Sequence, residues 1–242
     1  MIVLKELTKR YDRVLAVDRL SLRLEAGEIF GFIGPNGAGK TTTIRMLGGV
    51  LRPTAGAIEI GGVSLLERPV EAKRMIGFIP DRPYLYEKLT GMEFMTFTAD
   101  LYGVDGDVEG KAMGLLERFD LLNRRHELIE AYSHGMRQRL IIAAALLHDP
   151  AAIVVDEPMV GLDPTAVKMV KDIFRDLARR GKTIFMSTHT LSVAEDICDR
   201  IGIIHGGSLI ALGTVGDLRR SAGVGEGDLE EVFMRLTEEE TR

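Results

Sequence analysis

Residues 34–42 read GPNGAGKTT, from Gly34 to Thr42. The spacing is G-x-x-x-x-G-K-[ST], with Gly34, Gly39, Lys40 and Thr41 at the defining positions. The apolar run Ile29–Ile33 precedes it and a helical stretch, Thr43–Gly48, follows. Strand, loop and helix in that order are the context the pattern requires. Glycines let backbone N–H groups converge on phosphate oxygens, because no Cβ blocks the approach. The start of the helix adds a partial positive charge. Asn36, Gly37, Ala38, Gly39, Lys40, Thr41 and Thr42 are therefore candidate contacts to a nucleoside triphosphate. Lys40 would neutralise charge on the β- and γ-phosphates, and the Thr41 hydroxyl would ligate Mg²⁺.

Further along, residues 151–158 read AAIVVDEP. An apolar run delivers Asp156 and Glu157 at its end, where α/β sheets gather their ligands. Alone, such a pair is a common solvated strand end. Joined to the phosphate loop, it reads as a metal ligand, Asp156, and a catalytic base, Glu157, that orients and deprotonates an attacking water.

The rest of the chain fits around these two motifs. Ile76–Ile79, Ile153–Val155, Thr183–Met186 and Ile201–Ile204 are short apolar runs like Ile29–Ile33. Continuous apolarity predicts a sheet covered on both faces. Val170, Ile173, Phe174 and Leu177 repeat at helical spacing, with Gly181 as a stop. Strands alternating with helices predict an α/β fold. Residues 1–28 and 56–63 read as short strands with turns, and residues 84–148 as helical, for example Met113, Leu116, Phe119 and Leu122. The expectation is an α/β core with a small antiparallel β subdomain at one edge and an inserted α-helical subdomain. Leu229, Val232, Phe233 and Leu236 predict a closing amphipathic helix with a frayed EEE extension.

Bulk properties restrict the function. The chain has 242 residues, 45% hydrophobic and 28% charged, with a net charge of −5. That charge supplies no global basic field for nucleic acid or anionic lipid. Paired arginines such as Arg179–Arg180 read as solvated helix faces. Cys198 is the only cysteine, which excludes an intrachain disulfide and fits a reducing compartment. The longest apolar run, Leu140–Leu147, falls far short of the roughly 20 residues that cross a bilayer. Lys5 arrives too early for a signal-peptide core. The expected location is cytoplasmic, with any membrane contact made through a partner.

A third motif distinguishes families. Residues 132–139 read YSHGMRQR and open a helix. This resembles the signature of the ABC ATPase family, L-S-G-G-Q-x-Q-R, with Ser133 and Gly135 matching and Tyr132, His134 and Met136 departing from it. Other elements follow in the family's order. Asp163, in GLD at 161–163, resembles the residue at the dimer seam. His189, in STH, resembles the switch histidine, and Tyr11 the aromatic that stacks on adenine. The resemblance covers nearly the whole chain. It implies a P-loop NTPase core of the RecA-like kind in a single domain over residues 1–242. Its parts would be 1–83 (β subdomain plus first part of the core), 84–148 (helical), 149–220 (rest of the core) and 221–242 (C-terminal helix and tail). It also implies ATP and Mg²⁺ as cofactors, with ATP sandwiched between this chain and a second copy or a paralogue. Ser133 and Gly135 would then meet the γ-phosphate held by the other subunit.

One position departs with a chemical consequence. The strand IGFIP is followed by Asp81, where the family has glutamine. Aspartate is shorter and anionic. It can ligate Mg²⁺ or accept from water, but cannot donate as the amide does. Two readings stand: a metal- or water-facing ligand, or a turn residue before Arg82–Pro83.

Two function classes follow. The first is the ATP-hydrolysing subunit of a membrane transporter, bound to a multi-span permease at the inner face of the cell membrane. RPYLYEKLTGMEFM is then a candidate receiver of a permease helix, the alternative being that Tyr84, Leu85 and Phe94 pack internally. YSHGMRQ and LEEVFMRL resemble ABC-2-type exporters. The second class is a non-transport assembly or scaffold ATPase.

Overall fold

A computed structural model describes residues 1–81, 84–225 and 227–239. In chain order the strands and helices are β1 (Ile2–Tyr11), β2 (Val14–Leu24), β3 (Ile29–Ile33), α1 (Lys40–Leu47), β4 (Ala55–Ile60), β5 (Val63–Ser64), α2 (Pro69–Arg74) and β6 (Ile76–Ile79). Then come α3 (Gly91–Tyr102), α4 (Val108–Arg118), α5 (His134–Leu146), β7 (Ala152–Asp156), α6 (Pro164–Arg179) and β8 (Thr183–Ser187). The chain closes with α7 (Leu191–Ile197), β9 (Arg200–His205), β10 (Ser208–Gly213), α8 (Val215–Ser221) and α9 (Leu229–Glu239).

The five apolar runs become adjacent parallel strands. They form a six-stranded sheet in the order β10-β9-β3-β8-β7-β6, with only β10 antiparallel. Both faces are covered, so no strand alternates in polarity. On β7, Ile153 and Val155 face a cluster built with α3, α4, α5 and α6. Ala152 and Val154 face the other side, with α1 and the antiparallel sheet β2-β1-β4-β5. On that second side Phe30, Phe32 and Phe185 pack as tilted rings at centroid distances of 5.3–6.4 Å. Full burial of a side chain this size stabilises by roughly 1.5–3 kcal/mol. α7, α8 and α9 pack over β9 in a third cluster.

Some boundaries differ from expectation. β1 and β2 are long strands of 10 and 11 residues rather than short ones. Irregular register between them breaks the alternation that a sequence reading looks for. α1 begins at Lys40, not Thr43, with Gly39 as its cap. The periodic set Met113 to Leu122 outruns its helix: α4 ends at Arg118, and Leu122 lies in a separate 3₁₀ turn. α9 reaches Glu239, so the first two residues of the expected frayed EEE extension are helical, and Glu240 lies outside the described residues. Among the described residues no helix is long and apolar enough to cross a membrane.

Candidate active site

The strand order explains the site. β3, β8, β7 and β6 are neighbours. At or just beyond their C-terminal ends lie, in turn, the 34–42 loop, His189, the Asp156–Glu157 pair and Asp81. Segments distant in sequence therefore converge on one edge, as α/β folds arrange ligand sites.

The 34–42 loop is pressed against backbone. A Cβ on Gly34 would stand 2.3 Å from the Ile204 carbonyl oxygen. On Gly39, at φ 111°, it would stand 2.4 Å from that of Ala16. Only glycine fits either position. Lys40 Nζ donates to the carbonyl oxygens of Gly34 (2.6 Å) and Pro35 (3.0 Å), wrapping the loop around its own ammonium. Burial pulls the Lys40 pKa below the usual lysine value, while the charges of Glu157 and Asp156 push it back up.

The acid pair is held from the adjacent strand. Asp156 pairs with Ser187 in the parallel register, and the Ser187 hydroxyl donates to its carboxylate. Asp156 is almost wholly buried. Glu157 then takes a left-handed backbone conformation, φ 51°. For a residue with a Cβ this costs about 1–2 kcal/mol, and it redirects the side chain away from the path of the strand. Glu157 Oε2 accepts from Thr188 Oγ1 at 3.2 Å, and Oε1 accepts from His189 Nδ1 at 2.7 Å. A carboxylate only accepts, so Nδ1 carries the proton in this pair.

One cavity of about 360 Å³ gathers most of the expected residues: Asn36, Gly37, Gly39, Lys40, Thr41, Thr42, Asp81, Asp156, Glu157 and His189. Ala16 and Val160 also border it and were not anticipated. Ala38 does not; it is buried and its N–H donates to Pro35. Tyr11 sits outside at the end of β1, exposed, with Lys9 Nζ 5.1 Å from its ring centre. Ser133 and Gly135 do not border the cavity. Ser133 caps α5, accepting from Met136 N–H at 3.2 Å. His134, the neighbour that departs from the signature, packs against Gly161, where a Cβ would come 2.3 Å from its ring. Asp163 caps α6.

Asp81 is exposed and faces both this cavity and an adjoining one of about 330 Å³ that also touches Thr41, Asp156 and Tyr84. Its alternative role, in a turn with Arg82 and Pro83, falls on residues outside those described. Thr41, Asp156 and Asp81 present oxygen donors to one space, which suits a hard divalent cation. Ser187 and Thr188 were missed as partners of the acids, although their signal was present: two hydroxyls directly before His189 in STH.

A second surface is apolar. Tyr84 is 98% exposed, so it does not pack internally, whereas Phe94 is buried. Tyr86 meets Phe97 edge-on at 5.2 Å, and these residues border an open groove of about 820 Å³ with Leu85 and Leu89.

Known proteins are similar to this chain in sequence and in fold. The family described as ABC transporter matches residues 17–160. The ABC-type transporter ATP-binding protein EcsA of Bacillus subtilis (strain 168) is 36% identical over 99% of this chain and 98% of its own length. The linearmycin resistance ATP-binding protein LnrL of the same organism is 38% identical over 90% of this chain and 70% of its own. A solved ATP-binding subunit of an ABC transporter superposes with a TM-score of 0.92 at 35% identity, covering 98% of this chain and 99% of that one.

Proposed function

The chain belongs to the ABC transporter family of ATP-binding subunits, and from that membership we propose how its residues divide the work of hydrolysis. The chain is an ATPase coupled to transport, so the assembly or scaffold alternative falls away. The 34–42 loop and Lys40 bind the triphosphate of ATP, and Tyr11 stacks on its adenine. Thr41 and Asp156, with Asp81 directly or through water, hold Mg²⁺. That ion, when bound, neutralises phosphate charge. Glu157 activates the attacking water and His189 orients it.

Each site is completed by a second copy or a paralogue, whose Ser133 and Gly135 meet the γ-phosphate. The observation that supports this is spatial: Ser133 and Gly135 sit away from the cavity that the other site residues border. Within one chain they have no part in it. Hydrolysis puts ADP beside phosphate across the seam, their charges repel, and the dimer opens. The groove of Tyr84, Tyr86 and Phe97 receives a multi-span permease, which holds the chain at the cytoplasmic face of the cell membrane. The resistance function in the name of one relative favours export.

Glu157→Gln tests the split site. It removes the base but keeps the shape, so ATP binds, turnover stops and the dimer persists. Gel filtration with ATP and Mg²⁺ should show a dimer for this variant. A monomer under those conditions sinks the proposal.

A further inference from the structure

The tripeptide Ser187–Thr188–His189 lies against Asp156–Glu157 one residue at a time. Ser187 reaches Asp156, Thr188 reaches Glu157 Oε2, and His189 reaches Glu157 Oε1. The parallel pairing of Asp156 with Ser187 sets this alignment. The middle member has no role in the assignments above. Resting on the reading of Glu157 as the base, we propose that Thr188 is a positioning residue that holds the Glu157 carboxylate in its reactive orientation.

The direction of the Thr188 hydrogen bond is fixed by its surroundings. Thr188 is 2% exposed, so water does not compete for its hydroxyl. Its Oγ1 accepts from the Thr190 backbone N–H at 3.0 Å. The hydroxyl proton is thereby left for Glu157 Oε2 at 3.2 Å. The two carboxylate oxygens are thus held by different groups. Oε1 is held by His189, whose side chain is 63% exposed, and Oε2 by a buried hydroxyl. An exposed histidine is free to turn toward a ligand; a buried threonine at the end of a strand is not. When His189 turns to a phosphate, Thr188 remains as the fixed point for the base. The left-handed backbone of Glu157 makes such a point necessary, because its side chain leaves the strand at an angle that the sheet does not support.

A purely structural role has a different signature. Thr188 also stabilises the turn into α7 by accepting from Thr190, and losing that contact lowers stability without selecting the chemical step. The test compares Thr188→Val, which keeps the shape and loses the hydroxyl, with Thr188→Ser, which keeps the hydroxyl. Turnover, KM for ATP and the melting temperature are measured beside wild type and Glu157→Gln. The expected result is a kcat about tenfold lower for Thr188→Val with KM within about twofold, the loss fitting one hydrogen bond to a charged group. Thr188→Ser restores kcat. A Thr188→Val enzyme with wild-type kcat beside an inactive Glu157→Gln overturns the positioning role and leaves the ATPase reading standing. If Thr188→Ser loses as much as Thr188→Val, the hydroxyl is not the active feature and the proposal falls. Should Glu157→Gln turn over like wild type, the base assignment fails and Thr188 loses its role with it.

Discussion

Asp81 places a full charge where the family carries a neutral amide, within reach of the space bordered by Lys40, Thr41 and Asp156. A carboxylate there is costly beside a triphosphate unless a cation compensates. A metal-facing role resolves the cost, since Mg²⁺ favours carboxylate oxygen and Lys40 adds a second positive charge. Asp81→Asn keeps the volume and removes the charge. Turnover should fall about tenfold, in the range seen for groups that orient a metal's ligands. The affinity for ATP, read by titrating a fluorescent nucleotide, should change far less. Unchanged phosphate release would return Asp81 to the turn role. The departure itself was legible in the sequence, because IGFIP locates the position. Its resolution was not, because the facing groups come from α1 and β7 rather than from neighbours along the chain.

At the scale of elements, α5 carries two demands on one residue. Ser133 caps the helix, and the sandwich reading also assigns it to a phosphate on another subunit. The two roles separate by charge. An aspartate caps a helix as well as serine does, and a negative charge at a helix start is favourable. The same charge repels a γ-phosphate. Ser133→Asp should therefore keep the wild-type melting temperature and lose most of its ATPase activity. Ser133→Ala should lose about 1 kcal/mol of stability as well. Thermal melts paired with turnover separate the cases, and an active Ser133→Asp rules out the phosphate role. Elements were legible in proportion to their burial. β3, β6, β7, β8 and β9 read as apolar runs because both faces are covered. β1 and β2 read as fragments, since their shifted register and the positive φ of Glu6 and Arg19 interrupt the period of two.

At the scale of the whole molecule, the contacts that make the site are those the sequence hides. The motifs could be recognised together by their order along the chain, yet the hydroxyls of Ser187 and Thr188 find Asp156 and Glu157 across 31 positions of chain. Only the adjacency of β7 and β8 brings them together. A second long-range contact ties the helical layer to the sheet. His148 follows α5 and stacks on Tyr102 at the end of α3, with ring centroids 3.8 Å apart. Its Nε2 donates to the Ile76 carbonyl on β6 at 3.1 Å, and its buried Nδ1 has no partner among the described residues. A neutral ring tolerates that arrangement; a charged one would bury an unpaired N–H. Burial accordingly lowers the His148 pKa below its ordinary 6.5 and Lys182 adds to this, while the Ile76 bond and Asp149 oppose it. The sign follows from linkage. Between the lowered native value and 6.5, the unfolded chain binds a proton that the native chain refuses, so stability falls as pH falls through that window. Acidification from pH 7.5 to 5.5 should lower the melting temperature of the wild type more than that of His148→Phe. The phenylalanine keeps a ring against Tyr102 and cannot titrate, so carboxylates and other groups contribute equally to both proteins and cancel. Parallel melting curves across that range would show that His148 does not join the layers as a neutral ring.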